Sequence, residues 1–305
     1  MKFKGLNLFI VFFFLCSFSS RASFVLLPME AEGQQNHLKA YGITYWALDK
    51  SYKVSWLLNY RGGSFLLPDA PEIRKECQIR GVTFEVLSDA ATNSILEDIS
   101  SPSQNMETVV LEKAPKIAVY TPKGKQPWDD AVTMVLTYAE IPYTEIYDEE
   151  VLSDQLLLYD WLHLHHEDFT GQYGKFFGNY RNTPWYIQQK AEAEALAKKL
   201  GYNKVSEEKL AVAKKVRDFV IGGGFMFAMC SATDSFDIAL SAEGVDICEP
   251  MFDGDDSEAN YQSRIDYTST FAFKDYTLVR NPMVYEFSDI DTTEEHGKGA
   301  FSMDK

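Results

Sequence analysis

Basic residues and histidines are scarce in this chain, cysteine is scarcer, and the apolar stretch that opens it is too short to cross a bilayer. The 305 residues carry 29 Lys and Arg against 45 Asp and Glu, with five histidines and four cysteines. A formal charge of −16 repels polyanions, so nucleic acid is excluded as a partner. The opening run from Leu8 to Phe14 excludes stable membrane insertion by its length. With Lys2 and Lys4 before it and the small residues of Ser17 to Ala22 after it, it has the three regions of a secretory signal peptide over residues 1–22. The expectation is therefore a periplasmic or secreted protein whose mature chain begins at Ser23. Removing Lys2, Lys4 and Arg21 leaves 26 basic residues against 45 acidic ones, a mature charge of about −19. Cys77, Cys230 and Cys248 remain, an odd number that excludes a fully paired disulfide framework, and Cys230 is the candidate free thiol. The hydrophobic fraction of 46% is enough for a real core.

Composition breaks once, at the polar stretch Ser100-Ser101-Pro102-Ser103-Gln104-Asn105. The reading is a small α/β N-terminal domain over residues 23–107 and a main domain over 108–305. In the first, Tyr41 to Leu48 and Val54 to Tyr60 read as strands. A Gly62-Gly63 turn, a Phe65-Leu66-Leu67 strand, a helix from Ala70 to Arg80 and a strand from Val82 to Leu87 follow. No Lys-Ser/Thr follows the two glycines, so they read as a turn rather than a phosphate loop. The main domain alternates. Strands are expected at Ile117 to Tyr120, Tyr143 to Tyr147, Asp160 to His165 and Phe225 to Met229. Helices are expected at Trp128 to Tyr138, Pro184 to Leu200, Glu207 to Val220 and Ser231 to Leu240, with a partly helical stretch at Val151 to Leu157. That rhythm predicts an α/β fold with a doubly wound parallel sheet. Its carboxyl edge should gather Thr121, Asp148, His165, His166 and Cys230.

Cys230 is the most informative residue. Gly222-Gly223-Gly224 ends a helix, a short apolar strand follows, and the thiol stands at the turn into the next helix. A nucleophile elbow has this form, and the helix N-terminus there favours a thiolate. The second constellation is His163-Leu164-His165-His166-Glu167-Asp168. At a strand end, His165 or His166 is a candidate base for Cys230, with Asp168 or Glu167 to orient it. The same cluster is a candidate divalent-metal site with His163, His165 and His166 as ligands, set against ordinary hydrogen-bonded histidines at a polar strand end. No other cofactor is indicated. Asp253-Gly254-Asp255-Asp256 lacks the spacing of a calcium loop and reads as an acidic turn. The aromatic stretch from Phe169 to Trp185 reads either as a carbohydrate or peptide platform or as an insertion packing on its own hydrophobes.

The run Gly224-Phe225-Met226-Phe227-Ala228-Met229-Cys230-Ser231-Ala232 resembles the elbow of class I glutamine amidotransferase-like domains. The segments from Leu38 through Trp56 to Phe65, and from Leu162 to Phe169, resemble exported bacterial proteins of unknown function commonly labelled asparagine synthetase B. The resemblance covers nearly all of residues 38–291. It implies a sheet of amidotransferase-like, or flavodoxin-like, type over 108–305. The implied Gly-x-Cys-x-Gly pattern has Ala228 and Ala232 in its glycine places. The implied late base, a His two residues before a Glu, has no counterpart: after Cys230 the only histidine is His296, followed by Gly297-Lys298. The hairpin-like Gly297 to Phe301 then implies a shortened C-terminus. For asparagine synthesis, Cys230-Ser231-Ala232-Thr233-Asp234-Ser235 keeps only Asp234 and Ser235 of a Ser-Gly-Gly-x-Asp-Ser pyrophosphate loop, which argues against that label. Two functions stand: a non-catalytic or degenerate binding or assembly domain for a small molecule, peptide or carbohydrate, and a cysteine-dependent hydrolase or amidase. The missing glycines and base favour the first.

Overall fold

The computed structural model describes residues 22–122 and 131–291. Residues 1–21 of the expected signal peptide, the start of the expected helix at Trp128, and His296 with the hairpin-like segment after it lie outside the described residues. The chain divides into two units, Met1–Ala114 and Pro115–Lys305.

In the first unit, strands β1 (Ala22–Leu27), β2 (Val54–Leu58), β3 (Phe65–Pro68), β4 (Glu85–Ser88) and β5 (Glu107–Leu111) form one sheet in the order β4-β1-β3-β2-β5. Every neighbouring pair is antiparallel. Helices α1 (His37–Asp49), α2 (Pro71–Arg80) and α3 (Asp89–Ile99) complete the unit. Side chains alternate across a strand, so Val25 and Leu27 join a core with Ala40, Ile43, Ala47, Ile73 and Cys77, while Leu26 packs with Leu57, Leu66 and Ile99. The expected strand from Tyr41 to Leu48 is corrected: it lies inside α1. Asn36 caps that helix by accepting from Lys39 N at 3.1 Å, and the buried spacing Ala40, Ile43, Ala47 is helical. The expected boundary near Thr108 also moves. Thr108 lies in β5 and pairs with Leu57 of the first sheet, so the second unit begins at Pro115. The Gly62-Gly63 turn is as tight as its composition suggests: Gly62 has φ +80, and a Cβ there would stand 2.4 Å from the Met29 carbonyl oxygen.

The second unit runs β6 (Ile117–Tyr120), α4 (Ala131–Ala139), β7 (Tyr143–Ile146), α5 (Asp148–Leu152), β8 (Trp161–Leu164), a short α6 (Phe177–Tyr180), α7 (Pro184–Lys199), α8 (Val205–Ile221), β9 (Phe225–Ala228), α9 (Ser231–Ser241) and α10 (Pro250–Asp253). The four strands are all parallel, in the order β7-β6-β8-β9. Alternation again sets the core. Ala118, Tyr120, Leu162, Leu164, Met226 and Ala228 pack with Val212, Val216 and Phe219 of α8 and Phe236 and Leu240 of α9. The α8 residues recur at three- and four-residue spacing, the period of a helix face. The protein is thus α/β, with one antiparallel and one parallel sheet.

Candidate functional site

The parallel register aligns Tyr120 with Ile146 and Leu164, and Leu164 with Ala228, so the four strands end side by side. The residues just beyond them are Thr121, Tyr147, His165 and Met229, with Asp148, His166 and Cys230 one step further. Chemistry in an open parallel sheet collects at this edge.

At β9 the chain keeps one more ladder bond, Met229 N to Leu164 O at 3.0 Å, and then turns sharply. Cys230 takes φ 52 and ψ −139 and leads directly into α9. A non-glycine residue held there costs on the order of 1–3 kcal/mol, which persists only where the surroundings impose it. Here Ala232 N donates to Met229 O at 3.2 Å and Thr233 N to Cys230 O at 3.1 Å, closing the turn. Ala232, in a place where the resemblance implies glycine, is fully buried in the core, so the elbow accommodates its methyl group. The Cys230 side chain is exposed, whereas Cys77 and Cys248 are buried, and all three are free thiols.

The expected partners of that thiol are engaged elsewhere. Among the described residues, no hydrogen bond joins Cys230 Sγ to an imidazole. His165 and His166 instead bring their Nδ1 atoms to 2.9 Å of each other, which requires one of the two to carry the proton. The Asp168 carboxylate, expected as an orienter of either ring, accepts from Thr170 N and Oγ1, both at 2.6 Å, and from Gly174 N at 3.0 Å. It shapes its own loop. Glu167 accepts from His165 N at 2.8 Å. The loop is fastened to the elbow helix by Ser231 Oγ donating to His166 O at 2.9 Å and Ser235 Oγ donating to Glu167 O at 3.0 Å. His163 is buried with its ring stacked on Phe227, centroids 5.4 Å apart, as a sheet-face residue. The expected metal cluster of His163, His165 and His166 does not assemble among the described residues.

The cluster that does have ligand spacing there is Asp246, Cys248 and Asp253. The Lys204 ammonium already sits against it, 2.6 Å from Asp246 and 2.9 Å from Asp253, and 2.5 Å from Asp255. Burial holds the Cys248 thiol well above its ordinary range, and Sγ donates to Thr170 O at 3.3 Å. The Lys204 ammonium and these carboxylates form an internal ion-pair cluster. The expected acidic turn is therefore partly neutralised by Lys204.

A buried polar network was missed by the sequence reading, apart from Asp148. Lys209 Nζ donates to Asp148 Oδ1 and Oδ2 at 2.8 and 2.6 Å and to the hydroxyls of Tyr120 and Tyr147, each at 3.0 Å. Tyr120 also donates to Asp148. Burial alone would lower the Lys209 pKa, but Asp148, Tyr147 and Glu208 together outweigh it and hold the ammonium well above its usual range. Burial pushes Tyr120 and Tyr147 up, and pushes the neighbouring Glu208 carboxyl up to about 8. Glu207-Glu208-Lys209 has the composition of a solvated helix face. Only the packing of α8 reveals that Glu208 and Lys209 point inward.

Beside this network lies a cavity of about 650 Å³, with Tyr147, His166, Glu167, Asp168, Trp185 and Lys209 among its walls. Cys230 is not one of them. In the aromatic stretch, Tyr173 and Phe176 pack in a small core with Tyr186 and Phe252, and both also face the cavity.

No family model, curated protein or solved structure matches this chain.

Proposed function

We infer that this is an exported binding protein whose ligand site is the 650 Å³ cavity at the carboxyl edge of the parallel sheet, with Cys230 a non-catalytic remnant of an elbow. The observation that carries the reading is the separation of the two features. A concave, aromatic-walled space of ligand size stands at the edge where open α/β sheets bind, while the thiol lies outside it with no imidazole hydrogen-bonded to it among the described residues. The strand order β7-β6-β8-β9 supports a flavodoxin-like or amidotransferase-like fold, in which the same framework hosts binding as readily as catalysis. The test is a fragment screen read by NMR on the exported chain. Hits should shift the Trp185 indole signal and leave glutamine unhydrolysed. Glutamine hydrolysis that vanishes in both Cys230→Ala and His166→Ala would overturn the reading.

One observation favours a second reading. The φ 52, ψ −139 backbone at Cys230 is the strained turn that presents a nucleophile, which supports a cysteine-dependent hydrolase or amidase. His165 or His166 would then have to bring a ring nitrogen within hydrogen-bond reach of the sulfur. Mass-spectrometric trapping of an acyl-enzyme on Cys230 with activated amides and esters tests it. No adduct with either class would refute it.

A further inference from the structure

We propose that the cavity binds a neutral carbohydrate, a pyranose ring stacked on Trp185 and held through its hydroxyls. This rests on the reading of the cavity as a ligand site and names the chemistry of its occupant.

One face of α7 supplies the wall that recognises it. Trp185, Gln189, Glu192 and Leu196 follow one another at spacings of three and four residues, the period of a helix face, and all line the space. The Trp185 ring is fixed by three others, with the Tyr180, Phe176 and Tyr186 centroids 5.1, 5.8 and 5.9 Å from its own. A side chain already held in place loses little freedom when a ligand arrives. An indole surface so presented suits the C–H-lined face of a sugar ring, which is apolar.

The polar groups beside that ring are of both kinds. Gln189 stands one turn along α7 from Trp185, and its Oε1 is buried and accepts no hydrogen bond among the described residues. That orphaned acceptor is satisfied by a donor from the ligand. Tyr147, also on the wall, accepts from Lys209 Nζ at 3.0 Å; its own O–H has no acceptor among the described residues and is left to donate. Further along α7, Glu192 Oε1 accepts from Gln188 Nε2 at 2.7 Å, a planar amide and carboxylate side by side on the same wall. An ammonium only donates and a carboxylate only accepts, so neither answers an open acceptor and an open donor together. A hydroxyl does both and brings no charge to desolvate. A pyranose carries several hydroxyls around the rim of a ring with apolar faces, which matches an aromatic wall flanked by amide, carboxylate and phenol groups.

The probes are the methyl glycosides of glucose, galactose and mannose, methoxycyclohexane as a six-membered ring without the hydroxyls, and N-acetylphenylalaninamide as an amide that also donates and accepts. Each is titrated into the full chain by calorimetry, with Trp185 followed by NMR. At least one glycoside should bind, shift the Trp185 indole signal and have its ring C–H protons moved upfield by the indole, while methoxycyclohexane binds at least about tenfold more weakly. Gln189→Leu removes the orphaned acceptor, so it should leave stability to urea unimpaired and weaken the glycoside about fivefold, the size of one net hydrogen bond, with methoxycyclohexane unchanged. Trp185→Ala should weaken both. Methoxycyclohexane binding as tightly as every glycoside, unchanged glycoside affinity in Gln189→Leu, or no glycoside bound at millimolar concentration while the amide or another fragment binds would overturn the sugar and leave the cavity as a ligand site. If no probe and no member of the fragment screen perturbs Trp185 or Tyr147, both the sugar and the cavity reading fail.

Discussion

Replacing Asp234 with Asn should make the second unit more stable at pH 8 and leave it unchanged at pH 4. Asp234 lies in the first turn of α9 and is only 4% exposed. Its Oδ1 accepts from Ser235 N at 2.9 Å, while its Oδ2 is buried and has no hydrogen-bond partner among the described residues. Burial pushes the carboxyl up to about 7, and the nearby charges of Asp291 and Asp168 add to the rise. The unfolded carboxyl ionises near 3.8, so between about pH 4 and 7 the folded state holds a proton that the unfolded state has released. Stability is therefore full below the unfolded value and is lost as pH rises through the folded one. A difference of about three pKa units corresponds to about 4 kcal/mol. Asparagine keeps the Oδ1 acceptor and cannot ionise, so the variant should lack this slope and exceed the wild type by up to about 4 kcal/mol at pH 8. Urea unfolding at pH 4, 5.5, 7 and 8, with hydrogen exchange of the α9 peptide to assign the change to the second unit, measures it. A variant no more stable than wild type at pH 8, or a difference that is the same at pH 4, refutes the account.

Among Cys77, Cys230 and Cys248, iodoacetamide should label Cys230 in the folded protein, because burial pushes the Cys77 thiol up to about 12 and holds Cys248 well above its ordinary range; peptide mapping that finds Cys77 or Cys248 modified first would contradict the packing. Lys209→Met should cost about 3–5 kcal/mol by leaving Asp148 buried and unpaired, and adding Asp148→Leu should recover much of it, measured as a double-mutant cycle. Gly62→Ala should destabilise the first unit by roughly 2 kcal/mol or more, since its φ of +80 and the Met29 carbonyl both exclude a methyl group; a neutral effect in thermal unfolding would count against the turn. N-terminal sequencing of the exported protein should read from Ser23, and an intact Met1 in a soluble cytoplasmic pool would refute export.

What the sequence by itself determined is local. The short apolar runs of β6, β8 and β9, the glycines after α8 and the alternation of strand with helix all act within a few residues. The parallel sheet and the turn at Cys230 were accordingly readable from the linear pattern. The boundary inside β5 and the helix at α1 were misread, because the pairing of Thr108 with Leu57 and the burial of Ala40, Ile43 and Ala47 are set by partners distant in sequence. Tertiary structure alone decided the chemistry of the edge. It joined Lys209 to Asp148 across 61 residues and to Tyr120 across 89, and turned a Glu-Lys pair of solvated composition into a buried network. It spent Asp168 on its own loop, and raised the aromatic stretch and the start of α7 into the walls of a cavity that Cys230 does not share. Periodicity and turn composition report which face of a segment is apolar. They carry no information about which polar group from another segment meets that face, and that meeting sets burial, charge pairing and the position of the candidate site.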